Sequence, residues 1–492
     1  MNFIPKAGLS ALFNNNSNEQ PKDQDCSSQE LSFIKDETVD NDRILIQEIE
    51  REAKEEATTK TIELCPRILA TVQCVFSAFH KELSKDDNRQ HSKVLYPVPT
   101  VLTIAMIARL CGYLNATDIA LFYNNFHSML SLFVCGMPPS EHLISSATVS
   151  RILSLIPSEK YEDLFNKHFG SRLGHKKFKR ELNRLRIITF DGQENRAGYV
   201  KGSPNRRKKG NHIVSCVDGA TGLVLKFINV SKKNQEVKAF LEMLAEIPDA
   251  SGMLFTCDAL NSRKSLLAEV LKKNGNCGLK IKGNSILTRE VKALFTTEDL
   301  PIYAEETLVV QSGGKIAEHK LEVVKITEDN IPEVKNWPCL KTAVKVTTNR
   351  HKVIAGKVVK STCREYFMVF TIDDIEAIKD TILQSCSCET MHYTNDMSFL
   401  SDKMAITDKN HIADQNTLNK VGYNVLKVQT NSNNSGKNVA FKELLLRNST
   451  NPLLAFKDLH NYIVKELGFK IRQLLPFNEF CISKLIKLIK SP

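Results

Sequence analysis

One tryptophan, Trp337, stands among 492 residues, and aromatic residues make up only 7% of the chain. No apolar run approaches the ~20 residues that a membrane-spanning helix needs, which argues against a bilayer protein. The first twenty residues, MNFIPKAGLSALFNNNSNEQ, contain one lysine and no hydrophobic stretch of a secretory signal, so export is not expected. Cysteine is present, 13 residues in all, but without paired CxxC sets at zinc-site spacing; Cys386 and Cys388 make only a CxC. A scattered, odd number of cysteines predicts reduced thiols in an intracellular protein, most of them buried as small apolar side chains.

What is present is ordinary in bulk and unusual in charge. Hydrophobic residues at 42% and charged residues at 25% are those of a soluble globular protein long enough for two or three domains. The formal net charge of +11 favours a polyanionic partner, although a solvated surplus of lysine gives the same figure.

The most informative stretch is residues 185–260. It begins LRIITFDGQ and ends GMLFTCDAL, two apolar runs of strand length that each stop at an aspartate, Asp191 and Asp258. An unpaired ionised carboxylate inside an apolar layer is costly, so each aspartate is expected at the last residue of its strand, emerging at the sheet edge. Two such strands side by side place two carboxylates together, and their repulsion calls for a cation between them. Singly, each aspartate also reads as a strand-end residue capping the next turn.

Around this stretch the chain divides by composition and periodicity. Residues 1–58 are rich in Asn, Ser, Gln, Asp and Glu and read as a disordered, acidic extension. Residues 59–175 carry apolar residues at helical spacing, with Pro97 and Pro99 opening one helix and Asn115 to Asp118 offering a cap for another. Within them, ISSATVSRILSLIP fits either the second helix of a helix-turn-helix or a plain bundle helix. Residues 183–290 give strand, strand, strand, helix, strand, helix, strand, with a GATG hairpin between the second and third strands. That succession is the one expected of a ribonuclease H-like mixed sheet with helices on both faces. Residues 291–371 alternate apolar and polar and read as an inserted antiparallel β region, with Trp337 packing where it rejoins the core. Helices return over 372–430, where Glu389 and Asp396 lie, and 431–492 reads as a linker and helical appendix. The fold class expected is therefore α+β and multidomain. Basic side chains crowd the acidic stretch: Arg206, Arg207, Lys208 and Lys209 sit on a probable strand connection, and GHKKFKRELNRLR precedes Asp191. Cations bracketing a carboxylate site suit a phosphodiester substrate, while two solvated loops would look the same.

From about His91 to Lys427 the chain resembles the H-repeat-associated transposases, an insertion-sequence (As type) group of the DDE superfamily. The motifs that carry the likeness occur in family order: DGQ at Asp191, DAL at Asp258, KGNS at Lys282 and WPCL at Trp337. The resemblance implies a DNA-binding helical domain at 59–175 and a catalytic core split between 183–290 and 372–430. It also implies metal-dependent DNA cleavage and strand transfer, with Asp191, Asp258 and Glu389 holding two Mg²⁺ ions (or Mn²⁺) and Asp396 as a fallback ligand. Lys282, Asn284, Arg263 and Lys264 would steady the scissile strand, together with Arg206, Arg207, Lys208 and Lys209. Double-stranded DNA is the implied partner, a homodimer or larger assembly on DNA the implied form, and the cytoplasm and nucleoid the implied location.

Three departures support an alternative, a catalytically inactive or domesticated DNA-binding descendant. The family lysine of DGK is Gln193, and the glutamine five residues after the second aspartate is Arg263. The family's final helix, close to HW-x-IEN-x-LHW, reads SCSCETMHY, so that Glu389 lies one residue nearer the His392–Tyr393 pair than the pattern asks. One residue turns a helical side chain by about 100°.

Overall fold

The apolar run before Asp191 becomes the centre of a sheet because both of its faces are covered. The computed structural model describes residues 66–170, 184–195, 211–230, 235–258, 262–297, 301–312, 315–337, 339–401, 406, 408–432 and 439–467. The extension 1–58 and the basic residues Arg206, Arg207, Lys208 and Lys209 lie outside the described residues. Everything described belongs to one unit, Lys60–Pro492.

Six helices come first: α1 (residues 66–83), α2 (Val98–Leu110), α3 (Ala116–Asn125), α4 (His127–Phe133), α5 (Ser146–Leu153) and α6 (Ser158–Leu164). The cap expected at Asn115 is present as a reciprocal box. Asn115 Oδ1 accepts from Asp118 N at 2.9 Å, and Asp118 Oδ2 accepts from Asn115 N at 3.3 Å. All thirteen residues of α2 are buried, so this helix is enclosed on every side.

The expected strand and helix succession follows: β1 (Arg186–Asn195), β2 (Asn211–Asp218), β3 (Val224–Val230), α7 (Glu236–Ala245), β4 (Met253–Cys257), α8 (Lys264–Lys272), β5 (Asn276–Ile281) and α9 (Ile286–Leu294). Four long strands come next, β6 (Ala304–Ser312), β7 (Lys315–Lys325), β8 (Thr342–Ile354) and β9 (Lys357–Phe370), and then α10 (Ile375–Gln384), α11 (Ser387–Ser398), α12 (Lys409–Ser432), α13 (Phe441–Thr450) and α14 (Pro452–Asn461). Among the described residues the strands form a sheet in the order β3-β2-β1-β4-β5-β9-β8-β7-β6. β1 is antiparallel to β2 and parallel to β4, and β4 is parallel to β5.

The 291–371 region is antiparallel as expected, but it is not set apart as an insertion. β9 pairs antiparallel with β5, so β6 to β9 extend the same sheet. Ile281, the last residue of β5, lies opposite Phe367, and β9 continues past it with no β5 neighbour. Trp337, between β7 and β8, packs against the core of this sheet.

Alternation along β1 sends Ile188 and Phe190 into a core with Phe240 and Met243 of α7 and Leu267 of α8. Ile187 faces the other way, toward Ile378 and Ile382 of α10. Helices thus cover both faces.

The described C-terminal helices, within residues 439–467, are part of the main core, which corrects the expectation of an appendix for that part of 431–492. Phe456 of α14 stacks on Phe133 of α4 at 4.7 Å between ring centres, and Leu444, Leu459 and Tyr462 are buried in the same cluster as α2. The physical reason is that the apolar face of α14 is covered by α2 and α4 of the N-terminal helices together with α12 and α13.

Helix α12 runs through the middle of this cluster despite a polar sequence. Three of its buried amides pair with distant segments: Asn424 Oδ1 accepts from Val224 N at 2.8 Å, and Gln415 and Asn419 accept from the enclosed guanidinium of Arg109. Asp414 is fully buried, with neither carboxylate oxygen meeting a donor among the described residues. Burial pushes its pKa up to about 8, against the opposing pull of the Arg109 charge. A carboxyl group raised above its unfolded value, near about 4, stabilises fully at lower pH and loses that contribution as pH rises through about 8. Asp414→Asn is therefore expected to flatten the pH dependence of the urea midpoint over this window; an unchanged profile would assign it to other groups.

Candidate active site

The register of two parallel strands brings Asp191 and Asp258 together. The last paired positions of β1 and β4 are Phe190 and Cys257, and each aspartate is the next residue along its chain. Alternation puts both on the sheet face opposite Phe190 and Cys257, which belong to the α7 and α8 core. The sequence reading of Asp191 as a terminal strand residue is corrected, since β1 continues to Asn195 because β2 supplies partners, Asp191 lying opposite Ser215. It is β4 that stops, and its ending opens one flank of Asp191. Cys257, buried on the other face, has its thiol pushed up to about 12, first by burial and then by the charges of Asp258 and Asp191, against a hydrogen bond with Ser262.

Gly192 is required where it stands. A Cβ there would lie 2.4 Å from the carboxylate of Glu236 on α7, so the DGQ glycine lets that helix start approach β1. Asp191 Oδ1 accepts from Gly192 N at 2.9 Å.

Helix α11 lies across this face, and its register decides which side chains meet the aspartates. His392 Nδ1 is 3.3 Å from Asp191 Oδ2, and the Asp191 side chain keeps 22% of its surface exposed. Four residues earlier Cys388 is buried, its Sγ 3.6 Å from the Ser215 carbonyl oxygen and 3.9 Å from His392 Nε2. Four residues later Asp396 accepts from Gln193 Nε2 at 3.1 Å to each oxygen, and from the hydroxyl of Ser401. The match is geometric: two residues of strand advance roughly 6.7 Å and four residues of helix about 6 Å, so Asp191–His392 and Gln193–Asp396 form successive rungs.

Glu389 lies one residue past Cys388 on the same helix. It is exposed, and its charge acts on Tyr366 of β9 and on Cys386. The helix is regular through this turn and does not absorb the one-residue shift, so Cys388 occupies the position where the family pattern places the glutamate. Among the described residues no three His, Cys, Asp or Glu side chains gather closely enough to hold a metal ion. The hard oxygens of Asp191 and Asp258 suit Mg²⁺ as two ligands, a number that this ion accepts when water and phosphate complete its shell. The third carboxylate of a two-ion arrangement is not supplied by Glu389 here.

The other residues expected at the site fall on its rim. Lys282 and Asn284 are exposed in the turn after β5, where Gly283 has φ +83°, and Arg263 is exposed at the start of α8. Lys264 is held by Glu333 at 3.3 Å and lies 5.4 Å from the centre of the Trp337 ring.

Two groups escaped the sequence reading as site residues. His392 could have been found from its four-residue spacing to Cys388 and Asp396. Lys420 of α12 has no local signal; it donates to Ser215 Oγ at 3.0 Å, and burial lowers its pKa to about 8 against the pull of Cys388 and Asp396.

Residues 83–169 match the family described as DDE_Tnp_1-associated. The resemblance to H repeat-associated transposases holds. YbfL of Escherichia coli (strain K12) is 25% identical over 262 residues, which are 52% of this chain and 65% of that protein. The "H repeat-associated putative transposase YbfD" of the same strain is 26% identical over 252 residues, 50% of this chain and 92% of that protein. The match thus spans just under two thirds of YbfL and nearly all of YbfD. A piggyBac transposase, in a synaptic complex with hairpin DNA, aligns over 86% of this chain and 85% of its own with 12% identity and a TM-score of 0.38, too weak a likeness to bear on the fold. Among the described residues no helix is long and apolar enough to cross a membrane.

Proposed function

We propose that this transposase-like chain acts on double-stranded DNA and cleaves a phosphodiester at the Asp191–Asp258 pair with a divalent ion, as one step of transposition. The observation that carries the reading is the β1–β4 register, which sets two carboxylates side by side at the carboxyl edge of a sheet ordered 3-2-1-4-5 through its first five strands, a ribonuclease H-like arrangement. Asp191 and Asp258 would hold the Mg²⁺, which when bound would supply positive charge against the charge that develops on the phosphate. The chain's own residues do the rest. His392 orients Asp191 from α11, the Gln193–Asp396 rung fixes the helix against β1, and Arg263 and Lys282 receive phosphate oxygens from the two turns beside the pair. Cations continue along the β8–β9 hairpin, where Arg350, Lys352, Lys357 and Lys360 occur with no carboxylate between Asn349 and Arg364. Pairing two DNA ends calls for a homodimer or larger assembly. Mg²⁺- or Mn²⁺-dependent nicking of DNA carrying the element's ends, wild type against Asp191→Ala, tests the reading; equal products from the two proteins reject it.

A second reading, DNA binding without cleavage, is favoured by one observation, the thiol of Cys388 where the pattern has a carboxylate. Cys388→Glu separates the two. If the helix carboxylate is what the site lacks, nicking rises at least about tenfold over wild type in a protein that still folds. Equal rates would show that the position does not limit the chemistry.

A further inference from the structure

Beside the acid pair, where β5 stops at Ile281 and β9 runs on, the sheet leaves a notch that opens into a cleft of about 640 Å³. Lys280, Lys282, Lys292, Lys345 and Arg364 line it, against one carboxylate, Glu365. That carboxylate lies 3.5 Å from Lys345, which Glu322 shares at 3.3 Å. Lys282, Lys292 and Arg364 are exposed, and none of the three has a carboxylate partner among the described residues. The walls between these cations are aromatic: Tyr366, with Lys280 Nζ 5.0 Å from its ring centre, and Phe295 against Phe367 at 5.8 Å. All three rings are half-buried, so each keeps some surface toward the cleft.

The cleft is joined to the acid pair through one side chain. Ser262 Oγ lies 2.8 Å from the carbonyl oxygen of Lys280 and 3.3 Å from that of Asp258. A chain lying in the cleft is thereby led to the end of β4.

We infer that this cleft holds an unpaired DNA strand next to the point of cleavage, its phosphates on Lys282, Lys292 and Arg364 and its bases against Tyr366 and Phe367. The inference rests on the function proposed above and adds the form of DNA taken at this place. Two features select a single strand. The volume is that of a small-molecule site, about 300–1,000 Å³, which admits a few nucleotides of one strand and no duplex. Alternating cations and rings also match the means by which unpaired strands are held, backbone charge together with base stacking, whereas a duplex keeps its bases stacked on each other.

The test uses the full chain and two exposed positions whose replacement spares the core. Binding of a labelled oligothymidylate of about 12 nucleotides, and of a blunt duplex of equal length, is compared for wild type and for the double variant Lys292→Glu/Arg364→Glu across a salt series, with thermal unfolding as the folding control. The double variant is expected to lose single-strand affinity by at least about tenfold and to flatten the salt slope by about 1.4, two phosphate contacts at about 0.7 each, with duplex affinity changed less than about twofold. Polyglutamate should displace the oligonucleotide poorly. Unchanged single-strand binding, equal losses for both DNAs, or displacement by polyglutamate as effective as by oligothymidylate would overturn the inference while leaving the proposed function in place. A wild-type protein that binds neither DNA would overturn both.

Discussion

Replacing Asp191 with alanine is expected to lower metal-dependent nicking by about a thousandfold or more, since a metal's charge stabilisation is worth several kcal/mol in the transition state. Asp258→Ala should match it, because the two side chains are adjacent residues beyond one paired register. Glu389→Ala is the informative partner. With its side chain exposed and acting on Tyr366, its removal should change the rate by less than about threefold. A loss for Glu389→Ala as large as that for Asp191→Ala would mean that α11 turns or shifts when DNA binds, and the register described here would not be the working one. Stability should change little in Glu389→Ala, an exposed position, so a loss of activity there could not be put down to unfolding.

Phe456→Ala should cost about 3–5 kcal/mol of unfolding free energy, the usual range for removing a buried phenylalanine. Its ring is fully buried against Phe133, joining the last described helices to the first ones. An exposed residue of the preceding helix serves as control: Leu446→Ala should shift stability by no more than about 0.5 kcal/mol. Urea unfolding reads both. A cost below about 1 kcal/mol at Phe456 would mean that α14 docks loosely and that the C-terminal helices are the appendix their sequence suggests.

The two aspartates were legible because a run such as IITF has no apolar use for the acid that ends it, and the order of strands and helices that surrounds them followed from spacing alone. The β region was legible as alternation, but its continuity with the main sheet was not, since pairing of β5 with β9 joins residues about ninety apart. The setting of Glu389 was not legible for a related reason. A carboxylate on a helix is visible in sequence, whereas the face it takes depends on what the helix packs against, and Cys388 and His392 carry no strong apolar signal to reveal that face. α12 was the least legible element, a buried helix in which amides, charges and hydroxyls are interleaved with the apolar residues, because the partners of those polar groups lie far off in the chain at Arg109, Ser215 and Val224.

By itself the sequence determined the strands, the helices, the two acids at the site and the surplus of positive charge, all properties of residues within a few positions of one another. Tertiary structure alone decided which acid faces which, that His392 lies against Asp191 with Cys388 buried beside it while Glu389 is exposed, and that both ends of the described chain share one core. Periodicity is fixed by local backbone geometry, but register and facing are fixed by what covers each surface, and that covering comes from distant segments.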